Sequence, residues 1–215
     1  RANVLKFLID LNADLECRTI KQSHPHHEWT ALKWATENNH QSCVELLQAA
    51  HCELVRKKID DNPALLNSDD NNGETLLVKS TRLGHEDAVK YLIGLGANMD
   101  VRHSHMQFTL LHIAAQYGHL AILQYLLEDM GSKDLNQTDF YGQPPVLWAA
   151  ANGYLDVVRY LTDKGADLSL ATNGGSDTGK TPLLWAIHKK HHEVVAFIIE
   201  TLASKQAIQL SLIHI

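Results

Sequence analysis

The stretch Thr109-Leu-Leu-His-Ile-Ala-Ala-Gln-Tyr-Gly-His119 decides how the rest of the chain is interpreted. A threonine precedes small apolar residues at helical spacing, and Thr109 can cap a helix there by accepting a backbone N–H. Gly118 follows the last apolar turn, where a residue without a Cβ permits the left-handed conformation that closes a helix. The stretch therefore predicts a short, capped helix that ends in a tight turn.

The same arrangement recurs five times along the chain. The threonine or proline that begins each copy, called its anchor below, is followed by a turn and a second apolar stripe, such as Val157-Val-Arg-Tyr-Leu161. Successive anchors are 45, 34, 35 and 37 residues apart. One helix pair cannot bury two apolar faces alone, so neighbouring pairs must stack. The pattern therefore predicts a solenoid whose anchors are Thr30, Thr75, Thr109, Pro144 and Thr181.

The recurring pattern of Thr-Pro-Leu-His-x-Ala-Ala, Gly-His, an apolar stripe and Gly-Ala-Asp resembles that of ankyrin repeats, from Val4 to about Leu202. The resemblance implies an all-α repeat solenoid of helix-turn-helix units with short β-hairpin or loop tips. We expect a single ankyrin-repeat domain over 1–209, with a half repeat at 1–16 and repeats at about 26–67, 70–103, 104–138, 139–175 and 176–209.

Both ends of the chain have unusual features. Residues 1–16 look like the second half of a repeat that begins upstream. The last six residues, Leu210-Ser-Leu-Ile-His-Ile215, look like the translation of a sequencing adapter. We therefore expect residues 210–215 to be a non-native tail and the chain to be a fragment of a longer reading frame.

The longest interval between anchors carries about a dozen extra residues between His51 and Leu66. Apolar residues keep helical spacing through this insertion as far as Ile59. The second helix is therefore either prolonged to about Asp61 or followed by a short extra helix that ends before Pro63. Insertions in repeat proteins usually fall on one face, which is often used for binding.

The composition excludes several classes of protein. With 19 basic and 25 acidic residues, the chain lacks the basic surplus of a dedicated nucleic-acid binder. Its three cysteines are odd in number and have no CxxC spacing, which favours reduced thiols, and Cys43 falls on an apolar stripe as core filler. No apolar run approaches membrane-spanning length. We expect a cytoplasmic protein, with the nucleus or a host-cell cytosol as alternatives.

The segment Gly174-Gly-Ser-Asp-Thr-Gly-Lys-Thr181 satisfies the phosphate-binding pattern G-x-x-x-x-G-K-[ST]. A working phosphate loop follows a buried strand, whereas the residues before Gly174 belong to a repeat turn. The half of the match that ends at Thr181 is also what the repeat itself requires. We therefore expect no nucleotide and no other cofactor.

The histidines and tryptophans have similarly simple interpretations. Many of the fourteen histidines occupy repeat positions, and we expect adventitious or no metal binding at His24, His26 and His27. Trp34, Trp148 and Trp185 lie four residues after their anchors, which we interpret as packing between helices. No catalytic constellation emerges, so we expect neither a metal site nor an enzyme.

The resemblance also implies where a protein partner would bind, namely the concave surface formed by the tips and the first helix of each repeat. Large aromatic residues at tips are typical of interface hot spots. The alternative is that some of them pack on adjacent hairpins. The candidates carried over to this sequence are Trp29, His105, Met106, Phe108, Tyr117, Phe140, Tyr141, Gln143 and Asn152.

Together these features predict a protein–protein interaction scaffold. The alternative is a recruiting arm of a larger enzyme or effector whose catalytic domain lies outside this sequence. We expect a protein partner, and neither nucleic acid, membrane nor small-molecule substrate.

Overall fold

A computed structural model describes residues 30–70, 73–102, 106–129 and 135–213. The chain divides into two compact units, residues 1–101 and 102–215, which we describe separately. The expected half repeat at 1–16, the histidines at 24–27 and two candidate contacts, Trp29 and His105, lie outside the described residues. The expected domain boundaries remain predictions.

The described residues of the first unit form two helix pairs. Helices α1 (Ala31–Glu37) and α2 (Gln41–Asp61) pack against each other, as do α3 (Leu76–Leu83) and α4 (Glu86–Gly94), and α2 also packs on α4. The threonine anchors cap α1 and α3, because Thr30 and Thr75 each accept the backbone N–H three residues later at 3.2 Å. Half-buried Cys43 packs against a buried cluster that includes Leu47, which confirms its interpretation as core filler.

The inserted residues prolong α2 as one continuous helix of 21 residues. Leu47, His51, Val55 and Ile59 are buried at intervals of four residues, which places them on one side of the helix. Asn62 ends α2 and caps a 3-10 helix, Pro63–Leu66, by accepting the Ala64 N–H at 3.2 Å. The first of the two sequence alternatives is therefore confirmed.

The second unit repeats the same construction. Its helices are α5 (Leu110–Tyr117), α6 (Leu120–Gln124), α7 (Pro145–Asn152), α8 (Leu155–Asp163), α9 (Pro182–Lys189) and α10 (His192–Ile213). A π-helix, Tyr125–Asp129, continues α6, and a 3-10 helix, Gly175–Asp177, precedes α9. The first helices stack in chain order, α5 on α7 and α7 on α9, while α8 packs on α10. The predicted all-α solenoid is confirmed in this unit.

The tips in the described ranges are loops and turns. These ranges contain no β-strand, and Phe108 alone forms an isolated bridge. The expected tips were either short β-hairpins or loops, and the described tips are loops. None of the helices in the same ranges is long and apolar enough to cross a membrane.

The turns that end the first helices adopt the left-handed conformation predicted for them. Gly153 has φ 81° and Asn39 has φ 54°, and Lys190 adopts φ 63° although it carries a side chain. At Gly153 a Cβ would lie 2.5 Å from Nδ1 of His191, the turn residue of the next repeat. The His191 Nε2 atom lies 3.1 Å from the Ala151 carbonyl oxygen. Glycine is therefore required here both by conformation and by the close approach of the following repeat.

Candidate partner-binding surface

Three tips are each closed by the same type of turn, which ends at the residue before the anchor. The turns begin at Asp70, Asp139 and Thr172 and end at Glu74, Gln143 and Lys180. In each turn the first residue donates its backbone N–H to the carbonyl oxygen of the last, over 2.9–3.0 Å. A side-chain oxygen of the first residue then accepts the N–H of the last, over 2.9–3.1 Å. The aspartate or threonine at this position therefore fixes the tip from inside.

In the first unit the tip before α3 is closed by an ion pair. Glu74 is buried, and its carboxylate receives two hydrogen bonds from Arg82 on α3, at 3.0 and 2.7 Å. A bidentate arginine–carboxylate pair holds both side chains in one geometry. The charges of Glu74 and Arg82 are therefore paired with each other within one repeat.

The tip before α7 presents the most exposed aromatic side chain among the candidates that the structure describes. Phe140 is 67% exposed, and its ring meets that of half-buried Tyr141 edge-on, at 5.2 Å between centroids. The backbone of this pair is held from both sides. Phe140 donates its N–H to the Met106 carbonyl oxygen, and the Tyr141 carbonyl oxygen accepts from Asn173, each over 2.9 Å. Neighbouring tips therefore fix the backbone that carries an uncovered ring.

Two of the candidate contacts are buried, which corrects the sequence prediction for them. Phe108 and Gln143 are each only 6% exposed. The Phe108 ring lies 5.7 Å from that of His112 and 5.1 Å from that of Trp148, so residues of its own and the next repeat cover it. Gln143 lies at the inner end of its closed turn. Both positions are therefore too buried to offer exposed contacts, and Phe108 packs on the first helices of its own and the next repeat rather than on an adjacent hairpin.

The other candidates remain accessible to different degrees. Met106 and Tyr117 are half-buried, and Asn152 is exposed at the end of α7, where its side-chain amide donates to the Trp148 carbonyl oxygen at 2.9 Å. We define the tip surface as the five accessible candidates of the second unit. They are Met106, Tyr117, Phe140, Tyr141 and Asn152.

His112 positions this surface by joining α5 to the tip before α7. The Thr109 N–H donates to His112 Nδ1 at 3.3 Å, so Nε2 carries the ring hydrogen and donates to the Gln143 carbonyl oxygen at 2.9 Å. Burial lowers the pKa of His112, although its hydrogen bond to Gln143 and the charge of Asp139 act in the opposite direction. The neutral ring therefore serves as a fixed connection between two repeats.

The tryptophans are less buried than the sequence interpretation required. Trp34 is 42% exposed, while Trp148 and Trp185 are half-buried. The interpretation as packing between helices is therefore wrong for Trp34 and incomplete for the other two. The equivalent residue of the third repeat, Ile113, is fully buried, because its shorter side chain ends within the core. The indole of Trp148 reaches further and donates Nε1–H to Asp139 Oδ2 at 3.0 Å.

Two lysines and a histidine surround Trp185. The Lys180 and Lys189 ammonium groups lie 4.8 and 5.9 Å from its ring centroid, and the His188 ring meets it edge-on at 6.0 Å. Lys180 also pairs with Asp177 Oδ1 at 2.5 Å. Sequence reasoning placed Trp185 in the core and missed this cluster. The signal was the row of basic residues that ends α9, one helical turn from the indole.

The segment that resembles a phosphate loop is a closed tip. Gly179 donates its backbone N–H to the Thr172 carbonyl oxygen at 2.7 Å, and the Lys180 N–H donates to Thr172 Oγ1 at 3.0 Å. Thr181 caps α9 by accepting the Leu184 N–H at 3.4 Å. These backbone N–H groups are therefore engaged within the protein and are not directed towards a ligand.

Metal ligands do not gather in the part of the chain that the structure describes. Within it, no three His, Cys, Asp or Glu residues are close enough to hold an ion together. The histidines at positions 24, 26, 27 and 105 lie outside that part. The expectation of adventitious or no metal binding at His24, His26 and His27 stays a prediction.

The prolonged helix α2 borders a groove with α4 in the first unit. The groove encloses about 490 Å³, and the Arg56 guanidinium lies 4.8 Å from the centroid of the Tyr91 ring within it. The groove also has both acidic and basic walls, formed by Glu53, Asp87 and Lys90. The insertion therefore contributes charged residues such as Arg56 to the face formed by the second helices of the repeats.

The chain resembles segments of much longer proteins. It is 36% identical over 112 residues to the human transient receptor potential cation channel subfamily A member 1, covering 52% of this chain and 10% of that protein. It is 37% identical over 111 residues to human BCL-6 corepressor-like protein 1, covering 51% and 6%. Glycerophosphocholine phosphodiesterase GDE1 of Candida albicans is 26% identical over 163 residues, covering 72% and 13%.

These relatives differ from one another in what their names describe, whereas the repeat is common to them and this chain. The family of ankyrin repeats, described in three copies, matches residues 48–139 and 130–209, which is most of the sequence. The match includes the anchors that cap α3, α5 and α9. Ankyrin repeats are non-catalytic and generally mediate protein–protein interaction. This chain belongs to the ankyrin repeat family.

Proposed function

We propose that the chain is a protein-interaction scaffold that binds its partner through the tip surface of the second unit. The observation that carries this proposal is the exposure of the Phe140 ring, which is 67% accessible. An aromatic ring in this position contributes little to the stability of the repeat, whereas aromatic rings dominate binding at interfaces.

The fixed backbone of the tip supports the same proposal. The hydrogen bonds to Met106 and from Asn173 hold the Phe140–Tyr141 pair in place before a partner arrives. A contact that is already ordered loses less conformational entropy on binding than a disordered loop does. Asn152 adds a polar group to this surface, and polar groups at the edge of an interface contribute specificity.

The test compares two variants that each shorten large side chains at the surface. The chain is immobilised, and proteins captured from cells of the source organism are quantified by mass spectrometry. The double substitution Phe140→Ala and Tyr141→Ala should remove at least one partner, and its affinity should fall about 30-fold or more, because a hot spot contributes at least about 2 kcal/mol.

Leu54→Ala is the matched control, since Leu54 is a large apolar residue on α2 that is 43% exposed. It should retain the same partner at unchanged affinity. Equal capture by wild type and the Phe140/Tyr141 variant would show that the tip surface is not the binding site.

A second candidate function is that of a recruiting arm in a larger enzyme or effector. The observation that favours it is that the chain spans 6–13% of the three relatives above, one of which is an enzyme by name. The complete coding sequence tests this candidate. A catalytic domain beside the repeats would support it, and a reading frame of repeats alone would contradict it.

A further inference from the structure

Two tryptophans in equivalent repeat positions have indole N–H groups with different surroundings. Trp148 and Trp185 each lie four residues after their anchor. The Trp148 N–H donates to the carboxylate of Asp139, at 3.0 Å. The Trp185 N–H is shielded from solvent and has no acceptor among the described residues. A buried donor without an acceptor costs free energy. The fourth repeat provides an acceptor for its indole N–H, whereas the described residues of the fifth repeat provide none.

The difference arises from the tip that precedes each helix. In the tip before α7, Asp139 closes the turn with one carboxylate oxygen and accepts the indole N–H with the other. The tip before α9 is longer, and Thr172 closes its turn. A threonine hydroxyl has a single oxygen, which here accepts the Lys180 N–H and donates to the Asp177 carbonyl oxygen. No second oxygen is left for Trp185.

Positive charge surrounds the indole whose N–H is unsatisfied. The ammonium groups of Lys180 and Lys189 lie within 6 Å of the Trp185 ring centroid. Lys180 is shared with Asp177, whereas Lys189 is exposed and has no ion pair with any residue that the structure describes. The surroundings of the N–H therefore favour an anion.

We propose that Trp185, Lys180 and Lys189 bind a carboxylate group from an aspartate or glutamate of the partner. The inference rests on the proposed function, because these residues lie one repeat along from the tip surface. One carboxylate oxygen accepts the Trp185 N–H, as that of Asp139 accepts the Trp148 N–H, and the other pairs with Lys189. The partner segment that the second unit recognises is therefore acidic.

The closed tip favours a carboxylate over a phosphate. A phosphate loop binds through several free backbone N–H groups, and here those of Gly179 and Lys180 are engaged within the tip. The carboxylate needs only the indole N–H and a lysine. Because lysine side chains rotate readily, the ammonium groups of Lys180 and Lys189 can reorient towards such a carboxylate.

The experiment follows the indole N–H signals of the ¹⁵N-labelled chain by NMR during titration with hexaglutamate peptide. The Trp185 signal is identified by its loss in Trp185→Phe, and that of Trp148 by its loss in Trp148→Phe. Hexaglutamate should shift the Trp185 signal in a saturable manner and leave the Trp148 signal in place, because Asp139 already occupies that N–H. Hexaglutamine, which has the same length without charge, should shift neither.

Charge-matched variants test which lysines are responsible. The double substitution Lys180→Gln and Lys189→Gln should weaken hexaglutamate binding about tenfold or more, because charge-assisted contacts are lost. Lys57→Gln with Lys58→Gln removes the same charge from α2 and should leave the affinity unchanged. An unshifted Trp148 signal in each variant reports an intact second unit.

Three results would overturn the inference. They are an unmoved Trp185 signal, equal weakening by the two lysine pairs, and tighter binding of ATP or inorganic phosphate than of hexaglutamate. The titration uses no natural partner, so its failure rejects the carboxylate site alone. Failure of the Phe140/Tyr141 capture test rejects the tip surface and leaves the titration result standing.

Discussion

At the scale of single residues, the close approach of successive repeats depends on glycine. Gly153 combines φ 81° with the approach of the His191 ring, whereas Gly165 has φ 98° and open space where a Cβ would lie. Gly94 has open space and no positive φ. These three positions separate the steric cost of a side chain from the conformational cost.

Alanine substitutions at these glycines should therefore form a graded series. Gly94→Ala should leave the free energy of unfolding unchanged or raise it by up to about 1 kcal/mol. Gly165→Ala should lower it by about 1–2 kcal/mol, the cost of the left-handed conformation, and Gly153→Ala should lower it further. Urea denaturation followed by circular dichroism measures all three. Equal losses at Gly153 and Gly165 would contradict the steric role of His191.

His112 gives the second unit a dependence on pH. Burial lowers the pKa of His112 in the folded state, so the unfolded chain takes up the proton first as the solution is acidified. The stability contributed by the neutral ring is present above the pKa of the unfolded histidine, and it is lost as pH falls towards the lower folded pKa. Acidification from pH 7.5 to 5.5 should therefore lower the free energy of unfolding.

His112→Leu should remove part of that dependence, since leucine occupies the equivalent position in the next two repeats, Leu147 and Leu184. At pH 7.5 the variant should be less stable by about 1–2 kcal/mol, because the Gln143 carbonyl oxygen loses its donor. Its stability should fall less than that of wild type on acidification. Exposed His192→Leu serves as the control, and an equal pH dependence in wild type and His112→Leu would contradict the assignment.

At the scale of elements, the sequence predicts the helices well because their signals are local. The threonine anchors cap α1, α3, α5 and α9, and the spacing of Val55 and Ile59 indicated that α2 continues through the insertion. The sequence could not decide between one helix and two in the insertion, since the strong helix breaker there, Pro63, permits both. The structure shows that Asn62 ends the helix, beyond the last buried turn.

The predicted helices and tips do not show which side chains are exposed at the tips. Phe108 and Phe140 both lie close to an anchor, and their positions alone suggest equal exposure. The structure buries Phe108 because Trp148 of the next repeat reaches it, while the edge-on contact with Tyr141 leaves Phe140 uncovered. The contact that buries Phe108 links residues 40 positions apart, and a single sequence gives no signal for it.

At the scale of the whole second unit, stacking decides which apolar residues are buried. Ala150 on α7 and Ile187 on α9 each lie six residues after their anchor, yet Ala150 is fully buried and Ile187 is 51% exposed. Helix α9 packs on α7, whereas no helix of the described residues follows α10. The same repeat position is therefore core in one repeat and surface in the next.

Introducing lysine at both positions tests this account of the solenoid. Ala150→Lys should lower the free energy of unfolding by about 4 kcal/mol or more, because it places a charge and a long side chain in a packed layer. Ile187→Lys should change it by less than about 0.5 kcal/mol, since the new ammonium group stays in water. Urea denaturation of both variants provides the comparison. Similar losses would mean that Ile187 is covered as Ala150 is, so burial in this unit would not follow from the order in which its helices stack.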